Sequence, residues 1–423
     1  MSEPRGGVPD VIDTLEGFHD ACDALASADG SLAADAERAS GYRYGHEDWL
    51  VQFKREGAGI ILFDPIALGE AGADWADFNR AVGDATWILH DSMMDLPGFG
   101  DLGMKPQRLF DTEIAARLLG MHRFGLAAVI EHYLGVTLAK EHSAADWSYR
   151  PLPRDWRNYA ALDVELLIEL ETLMRRDLCD HGKDEWAEEE FAHALEAGLA
   201  PRPPHPVPWL RVSRINQLGR DRRGLAIVKE LWEERDRLAR QYDIAPSLLL
   251  ADSSIMEAAF KKPRNVRDFR AIRCLNERVR MHTGSEQDKM FERYAPIQRE
   301  VKPRVWKDAI QRALALKPSE LPTMPNVSVD QNGGETNAPR SMRLWQDRHP
   351  DRYQRLQRVR KVINQIGEDT RTPAEIIIKP QIIRNLCWLD DPAKVDVALF
   401  LEEQGARAWQ VKLLAASVSR VIM

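Results

Sequence analysis

The chain has 423 residues, which is long for a single hydrophobic core and predicts two or three domains. It contains no run of 18 apolar residues and no basic leader followed by an apolar stretch, so we expect neither a membrane span nor a signal peptide but a cytoplasmic protein. The net charge of −8 divides into −21 over residues 1–200 and +13 over the remainder, so only the second half is suited to attract a polyanion. Two solvated surfaces without a charged partner are the alternative that charge alone leaves open.

Hydrophobic periodicity predicts a helix over residues 9–27, then a turn and a strand that opens at Ser31. Two apolar runs, 49–54 and 60–65, flank a Gly-containing turn and predict a β-hairpin. Helices and strands then alternate: a helix over 75–82, a strand over 86–90, a helix from Met94, a strand over 108–111, and helices over 113–119 and 124–134. This order predicts a mixed sheet with helices on its faces.

The segment from Arg154 to Arg175 has the strongest helical pattern in this half. Tyr159 and Asp163 are four residues apart within it, so a helix places them on one side. Asp163 falls in the stripe that otherwise faces the core, where a carboxylate is costly unless it is paired, hydrogen-bonded or bound to metal. A capped or arginine-paired buried Asp is the alternative for this helix alone.

Two further acids, Asp35 and Glu37, form a second pair whose side chains share one face. Asp35 and Glu37 are two residues apart in the predicted strand, so their side chains point to the same face. Together with Asp95 and Asp163 they make four carboxylates that would repel one another by roughly 4 kcal/mol per close pair at an effective dielectric near 20. Such a cluster needs cations, and two divalent ions about 4 Å apart are the usual machinery for attack on a phosphodiester.

A second Asp-x-Glu spacing, at Asp111 and Glu113, competes with the first. If it opened the site, only 49 residues would lie between Glu113 and Asp163, too few for the hairpin, the helices and a third acidic motif. We therefore interpret Asp111 and Glu113 as strand-end and helix-start acids, with Glu113 favoured by the helix dipole. His90 is interpreted as a packed strand-end histidine, with a ligand or proton shuttle as the alternative.

The cysteines add no site, because Cys22, Cys179, Cys274 and Cys387 are far apart in sequence and form no zinc or redox motif. We expect all four to be small core residues.

The second half begins with a Pro-rich stretch over residues 201–208 that predicts a stiff linker. An amphipathic helix over residues 225–238 follows, and Pro246 starts another that runs to Ala259. A fainter helical pattern recurs from Tyr353 to Val411. The densest basic patch predicts a phosphate-tracking surface, with an unpartnered helix surface as the alternative; it consists of Lys261, Lys262, Arg264, Arg267, Arg270 and Arg273.

The order of the acidic motifs resembles that of the DEDD exonucleases of the tyrosine subtype, and in particular the ribonuclease D family. Its three parts are Asp35-x-Glu37, His90-x-x-x-x-Asp95 and Tyr159-x-x-x-Asp163, and the flanking segments 110–112, 146–147 and 150–152 also fit. The resemblance covers about residues 28–180. Ala36 departs from the more familiar Thr, and Met93 and Met94 precede Asp95 where polar residues are common.

The resemblance implies an α/β ribonuclease H-like (DnaQ-like) exonuclease domain with a mixed sheet, followed by all-α HRDC-like helical domains. The expected boundaries are an exonuclease domain over 1–200, a Pro-rich linker over 201–210, an HRDC-like domain over 211–315, a linker over 316–340 and a second HRDC-like domain over 341–423.

The resemblance also implies the chemistry of the site. Asp35, Glu37, Asp95 and Asp163 are expected to hold two Mg²⁺ or Mn²⁺ ions, and Tyr159 to orient the attacking water. The expected activity is that of a 3′→5′ exoribonuclease that releases nucleoside 5′-monophosphates from tRNA precursors or other structured RNA with a free 3′ end. A 3′→5′ DNA exonuclease and a non-catalytic RNA-binding protein are the alternatives; protein partners are unknown.

Overall fold

A computed structural model describes residues 1–138, 142, 144–280, 287–324, 338–339 and 341–422. Its N-terminal unit is built on a six-stranded sheet with the strand order β1-β4-β3-β2-β5-β6. The strands are β1 (Val11–Ile12), β2 (Asp29–Arg38), β3 (Asp48–Glu56), β4 (Gly59–Phe63), β5 (Thr86–Leu89) and β6 (Arg108–Asp111). Strands β2, β3 and β4 pair antiparallel and the other neighbours pair parallel, so the predicted mixed sheet is confirmed.

Helices cover the sheet, and several begin at side chains that accept hydrogen bonds from the first free N–H groups. Thr14, Asp64, Asp74 and Asp111 cap helices in this way. Over the described part of this unit the helices are α1 (Leu15–Ala26), α2 (Pro65–Ala71), α3 (Trp75–Val82), α4 (Ser92–Asp101), α5 (Thr112–Leu118), α6 (Leu126–Leu134), α7 (Arg154–Glu165), α8 (Leu167–Asp180) and α9 (Asp184–Leu199).

The core of this unit is rich in aromatic side chains packed at tilted or perpendicular angles. Phe53 on β3 contacts Phe78 on α3, with ring centroids 4.7 Å apart, and Trp87 on β5 at 5.6 Å. Phe99 on α4 packs against Trp87 at 5.3 Å. These rings are buried, and such packing suits their quadrupoles. They fix α3 and α4 on the sheet, and α4 is the helix that carries Asp95.

Two predicted helices are wrong in their extent. The segment 9–27 is divided, because Val11 and Ile12 pair with β4 at the sheet edge and the helix begins only after Thr14. The helix predicted over 154–175 breaks at Leu166, with φ −108° and ψ 0°. There the carbonyl of Glu165 accepts a hydrogen bond from the Lys54 ammonium on β3, and a side chain inserted into the backbone ladder is a recognised cause of a helix break.

Among its described residues, the middle unit consists of helices, 3₁₀ turns and the loops between them, and it contains no strand. Its long helix α10 packs on α12 and α16, and the buried face of α10 includes Leu225, Val228 and Leu231, as the amphipathic pattern predicted. The helices are α10 (Arg222–Tyr242), α11 (Pro246–Leu249), α12 (Asp252–Lys261), α13 (Val266–Arg270), α14 (Gln287–Glu292), α15 (Ala295–Glu300) and α16 (Pro303–Ala315), with 3₁₀ turns at Pro208–Arg211, Ile215–Leu218 and Arg273–Leu275.

The C-terminal unit is a second helical bundle, centred on a core that includes Trp345, Leu356 and Leu414. Its helices are α17 (Met342–Arg348), α18 (Pro350–Thr370), α19 (Ala374–Ile377), α20 (Pro380–Trp388), α21 (Val397–Glu403) and α22 (Ala408–Val421), with a 3₁₀ turn at Pro392–Lys394. Most of the linker expected over 316–340 lies outside the described residues.

The C-terminal unit packs on the N-terminal unit through a tryptophan pair. Trp409 of α22 stacks on Trp186 of α9 with centroids 4.6 Å apart, and its indole N–H donates to Glu190 at 2.8 Å. The Arg407 guanidinium donates to both oxygens of the same Glu190 carboxylate, at 2.6 and 2.7 Å. A bidentate pair beside stacked indoles is a geometrically specific contact, so this interface has a defined register.

The expectation for the cysteines holds only in part. Cys22 and Cys387 are buried, Cys274 is half-buried and Cys179 is exposed. In the described ranges, no helix combines the length and the apolar character that a bilayer crossing requires.

The contact between α4 and α9 depends on a glycine. A Cβ on Gly198 would lie 2.7 Å from Cβ of Leu96, whereas a Cβ on Gly100 of the same helix pair would meet only Cδ2 of Leu199 at 3.4 Å. We expect Gly198→Ala to lower the free energy of unfolding by about 1–3 kcal/mol through overpacking. Gly100→Ala should be neutral or stabilising by up to about 1 kcal/mol. Urea denaturation of both variants tests this, and equal midpoints would contradict it.

Candidate active site

Three carboxylates predicted from different parts of the sequence meet in space. Asp35 and Glu37 project from the same face of β2, and Asp163 approaches from α7; one oxygen of each lies within 4.8 Å of the other two. The side chains of Asp35 and Glu37 thus share one face of the strand, as their spacing of two residues predicted. Asp35 and Asp163 are half-buried and Glu37 is buried, so the cluster is largely shielded from solvent.

Asp95 is the fourth carboxylate. It lies in the first turn of α4 and is buried. The charge of Asp35 is among the causes that raise the pKa of Asp95, so these two carboxylates lie close together. The Arg38 guanidinium is 3.3 Å from Asp95 Oδ1. The structure thus places Asp95 beside the group formed by Asp35, Glu37 and Asp163.

Tyr159 lies one turn before Asp163 on α7, so the phenol and the Asp163 carboxylate share one face of that helix. The ring of the buried Trp147 supports the Tyr159 ring, with centroids 6.2 Å apart. Burial and the nearby negative charge of Asp163 raise the pKa of Tyr159 far above its ordinary value. At neutral pH the phenol therefore keeps its proton and acts as a hydrogen-bond donor.

The carboxylates are in an environment that disfavours their charge. Burial raises the pKa of Asp35 to about 7. Burial, and then the charge of Asp35, raise the pKa values of Glu37, Asp95 and Asp163 well above their ordinary range. Desolvation and like-charge repulsion act in the same direction here, so a cation bound among these oxygens would stabilise the charged forms.

The donor set fits a hard divalent metal ion. All the ligand atoms are carboxylate oxygens, which Mg²⁺ and Mn²⁺ prefer, and the three that converge within 4.8 Å supply no sulfur or imidazole. Asp35, Glu37, Asp95 and Asp163 are the residues that would hold such ions.

Sequence reasoning missed a residue on the neighbouring strand. Gln52 of β3 lies directly opposite Asp35 in the sheet register, is fully buried, and donates from Nε2 to Asp35 Oδ2 at 2.5 Å. A glutamine inside the apolar run 50–53 was the available signal. It could not be interpreted without the hairpin register, which the sequence did not supply.

Arg38 and Asp48 were also missed. Arg38 directly follows Glu37, and its Nε donates to Asp48 Oδ1 at 2.9 Å across the β2–β3 pair. Burial raises the pKa of Asp48 to about 6. The two residues are ten positions apart in sequence, and only the hairpin brings them together.

The other acids and the histidine near the motifs have contacts of their own. Asp111 is the last residue of β6 and Glu113 lies in the first turn of α5, as predicted. Asp111 also caps α5, since it accepts from the backbone N–H groups of Glu113 and Ile114 at 2.8 and 3.0 Å, and Glu113 pairs with Arg117. His90 is half-buried with Nδ1 2.8 Å from Thr112 Oγ1, and burial lowers its pKa to about 4. These contacts fit a packed neutral histidine.

Three family models match the chain. Residues 9–179 match the 3′–5′ exonuclease family, residues 224–286 the HRDC domain, and residues 338–422 the 3′ to 5′ exonuclease C-terminal domain. The first match contains all five predicted site residues. Together with the mixed sheet, these matches confirm a DnaQ-like exonuclease domain followed by a helical HRDC domain.

Several curated relatives are named ribonuclease D. Ribonuclease D from Shewanella sp. (strain ANA-3) is 30% identical over 233 residues, covering 55% of this chain and 59% of the relative. Ribonuclease D from Zymomonas mobilis is 29% identical over 309 residues, covering 71% and 72%. The chain therefore spans about three fifths of the length of the first of these relatives and somewhat more of the second.

Solved structures agree over the whole chain. A protein from Bifidobacterium adolescentis is 69% identical, with coverage of 100% of this chain and 99% of that one and a TM-score of 0.93. Escherichia coli RNase D, an exoribonuclease involved in structured RNA processing, is 22% identical over 98% of both chains, with a TM-score of 0.63, and shares the fold. The fold and the motif order define a 3′–5′ exonuclease of the DEDD type. The chain is similar to the ribonuclease D family.

Metal binding should be visible in stability. At a hundredfold excess over its dissociation constant, a ligand that binds only the folded state adds about 2.7 kcal/mol, and this corresponds to a rise in melting temperature of roughly 5–10 °C for a unit of this size. We expect Mn²⁺ to produce such a rise in the wild-type protein and little or none in Asp163→Asn.

In the absence of metal we expect Asp163→Asn to have a higher melting temperature than the wild type, because the substitution removes one member of a repelling cluster. The matched control is Asp155→Asn, an exposed acid on the same helix α7, which should keep the full metal-induced rise. Thermal unfolding with Mn²⁺ and with EDTA measures both effects. A metal-induced rise in Asp163→Asn equal to that of the wild type would contradict the assignment.

Proposed function

We propose that this protein is a 3′→5′ exoribonuclease that hydrolyses the last phosphodiester of an RNA strand and releases a nucleoside 5′-monophosphate. The observation that carries the proposal is the convergence of Asp35, Glu37 and Asp163, with Tyr159 one turn before Asp163 on α7, inside the segment that matches the 3′–5′ exonuclease family. The expected substrates are tRNA precursors or other structured RNA. The cytoplasmic location expected from the sequence is part of the same proposal.

The four carboxylates would hold two Mg²⁺ or Mn²⁺ ions. When bound, such ions lower the pKa of a water ligand and stabilise the charge on the leaving 3′ oxygen. The protein's own contribution is to fix the ligands: Gln52 orients Asp35, the β2 backbone fixes Glu37 relative to Asp35, and α7 presents Asp163.

Tyr159 has a separate role. Its phenol can orient a water molecule or a phosphate oxygen by donating a hydrogen bond. Its contact with Trp147 helps to fix the ring. In hydrolysis, the water oxygen forms the new bond to phosphorus as the bond between phosphorus and the 3′ oxygen breaks. The water proton passes to the solvent or to a carboxylate, and the leaving 3′ oxygen takes up a proton from the solvent.

Activity is the direct test. We expect the purified protein with Mg²⁺ or Mn²⁺ to shorten a 5′-labelled RNA one nucleotide at a time. Asp163→Asn should lower the rate roughly 100-fold or more, because a metal ion supplies several kcal/mol of transition-state stabilisation and about 1.36 kcal/mol is a factor of ten. Asp155→Asn is the control and should retain the wild-type rate.

A DNA strand of matched sequence separates the two nuclease alternatives, because only RNA offers the 2′-hydroxyl. Faster shortening of DNA would replace the ribonuclease proposal by a DNA exonuclease. No metal-dependent shortening of either strand would leave a non-catalytic RNA-binding protein.

The basic patch is smaller than its sequence indicated. Lys261, Lys262 and Arg273 are paired with acids of the middle unit at distances of 2.5–3.0 Å. The other three arginines are exposed and form no ion pair within the described part of the chain; we call them the arginine surface: Arg264, Arg267 and Arg270. Phe260, close to them in sequence, is 49% exposed.

We propose that the arginine surface binds the RNA backbone, because exposed cations and an aromatic ring are the groups that hold single strands. Arg264→Glu together with Arg267→Glu should weaken RNA binding. The double variant should also reduce the slope of log K against log salt by about 1.4, since each phosphate that is no longer neutralised accounts for about 0.7.

The matched control reverses Arg304 and Arg343, which are also exposed but lie in other helices and pair with acids on their own helices. Binding measured by fluorescence anisotropy from low to high salt compares the two variants. Unchanged affinity and slope in the Arg264/Arg267 variant would refute the assignment of this surface.

A further inference from the structure

The strand that carries two of the acids ends in an irregularity next to the site. Glu37 of β2 pairs with Leu50 of β3, but the next residue, Arg38, pairs with Asp48. Trp49 is therefore an extra residue on β3 at this point. Bulges of this kind re-aim side chains and are common beside active sites. Here the bulge brings the side chains of Arg38 and Asp48 together at the start of α4.

One guanidinium then joins three elements. Arg38 Nε donates to Asp48 Oδ1 on β3 at 2.9 Å, and Nη2 lies 3.3 Å from Asp95 Oδ1 on α4. The same Nη2 donates to the backbone carbonyl of Met94, the residue before Asp95. Because the guanidinium is a rigid planar fork, these contacts constrain one another. Arg38 therefore holds Asp95 in two ways, through the Asp95 carboxylate itself and through the backbone carbonyl of the preceding residue.

Asp48 is enclosed so that it can do little except hold Arg38. Its side chain is fully buried and its Oδ2 atom has no hydrogen-bond partner among the described residues. Helix α4 passes directly over it, since a Cβ on Gly98 would lie 2.1 Å from Asp48 Oδ2. A buried ion pair contributes little net stability compared with apolar side chains of similar size. Its presence at this position therefore suggests a role at the site.

Arg38 is also the one arginine or lysine, in the ranges that the structure covers, whose ion pairs include any of the four carboxylates. The nearest comparable cation of the hairpin, Lys54, is directed to Glu165 instead, at 3.3 Å. Among the four carboxylates, Arg38 contacts only Asp95. Its charge offsets part of the repulsion in the cluster, and the contact fixes the rotamer of that acid.

We propose that Arg38, anchored by Asp48, is a positioning residue that holds Asp95 for metal binding. The inference rests on the proposed metal site. With Oδ1 engaged by Arg38, Oδ2 of Asp95 is the oxygen that would be left to hold a metal ion. Partners of this kind, one step removed from the metal, typically account for a roughly 10- to 100-fold difference in metal affinity.

A purely structural ion pair makes a different prediction. If Arg38 only ties α4 to the sheet, its removal lowers the melting temperature and leaves metal affinity unchanged. If it positions Asp95, affinity falls even in protein that is fully folded at the temperature of the measurement. Direct titration of Mn²⁺ by calorimetry or electron paramagnetic resonance, with folding checked by circular dichroism, separates the two.

We expect Arg38→Gln to weaken Mn²⁺ binding roughly 10- to 100-fold. Arg38→Lys should recover part of the affinity, because an ammonium can reach one carboxylate but cannot bridge two as the fork does. Asp48→Asn keeps an acceptor oxygen for Arg38 and should show an intermediate effect. Since the two residues act in series, the Arg38→Gln/Asp48→Asn double variant should bind no more weakly than Arg38→Gln alone.

Arg55→Gln is the matched control. Arg55 is another largely buried arginine of the same hairpin, but it donates to the backbone carbonyls of Leu25 and Gly30, at the other end of β3. It should lose stability and retain wild-type Mn²⁺ affinity. Should Arg38→Gln fail to fold, the comparison of Arg38→Lys and Asp48→Asn with Arg55→Gln decides the question in its place.

The outcomes keep this inference apart from the proposed function. No Mn²⁺ binding by the wild-type protein would remove the metal site itself. Normal wild-type binding with unchanged or tighter binding in Arg38→Gln would remove only the role of Arg38. A rate that falls at limiting Mn²⁺ and recovers at excess Mn²⁺ is the further result expected of a positioning residue.

Discussion

The electrostatic repulsion among four carboxylates in a space of a few ångströms is the constraint on which the rest of this structure depends. Three of them have oxygens within 4.8 Å of one another, and burial disfavours their charged forms further. The polypeptide cannot reduce that repulsion by moving the side chains apart, because they are fixed on rigid strands and helices. It offsets the cost with polar neighbours: Gln52 at Asp35, Tyr159 at Asp163 and Arg38 at Asp95.

The same elements also determine where the middle unit sits. The loop that leaves β2 after Arg38 carries three residues that meet this unit: the Tyr42 carbonyl accepts from the Ala245 N–H at 2.8 Å, Arg43 pairs with Asp243 at 2.9 Å and Tyr44 donates to Asp236 at 3.0 Å. The segment that precedes α7 meets it as well, since Tyr294 donates to Asp146 at 3.0 Å. The middle unit thus packs against chain segments next to β2 and α7, and its position relative to the site is fixed by short connections.

Local spacing was sufficient to predict the paired acids of the site, because each pair lies within one element. Asp35 and Glu37 follow from strand alternation, and Tyr159 and Asp163 from one turn of helix. The supporting residues could not be predicted in this way. Gln52 faces Asp35 only in one hairpin register, and Arg38 meets Asp48 only because a bulge shifts that register by one residue. At the helix break near Leu166, the Glu165 carbonyl likewise accepts from Lys54, more than a hundred positions away. Local spacing predicted contacts within one strand or helix, and it did not predict contacts between residues on different elements.

Tertiary structure likewise limits what the net charge of each half predicts about its surface. The balance of +13 beyond residue 200 suggests a broadly basic surface, yet much of it is used inside the fold. Arg223 donates to the carbonyls of Ala313, Leu314 and Leu316, and the buried Arg235 to Leu250 and Asp252. Arginines that satisfy helix ends and buried acids are not available to a phosphate. Net charge therefore overstates the area that can bind a polyanion, and the exposed arginines of α13 and the turn before it are a part of that charge that remains directed to solvent.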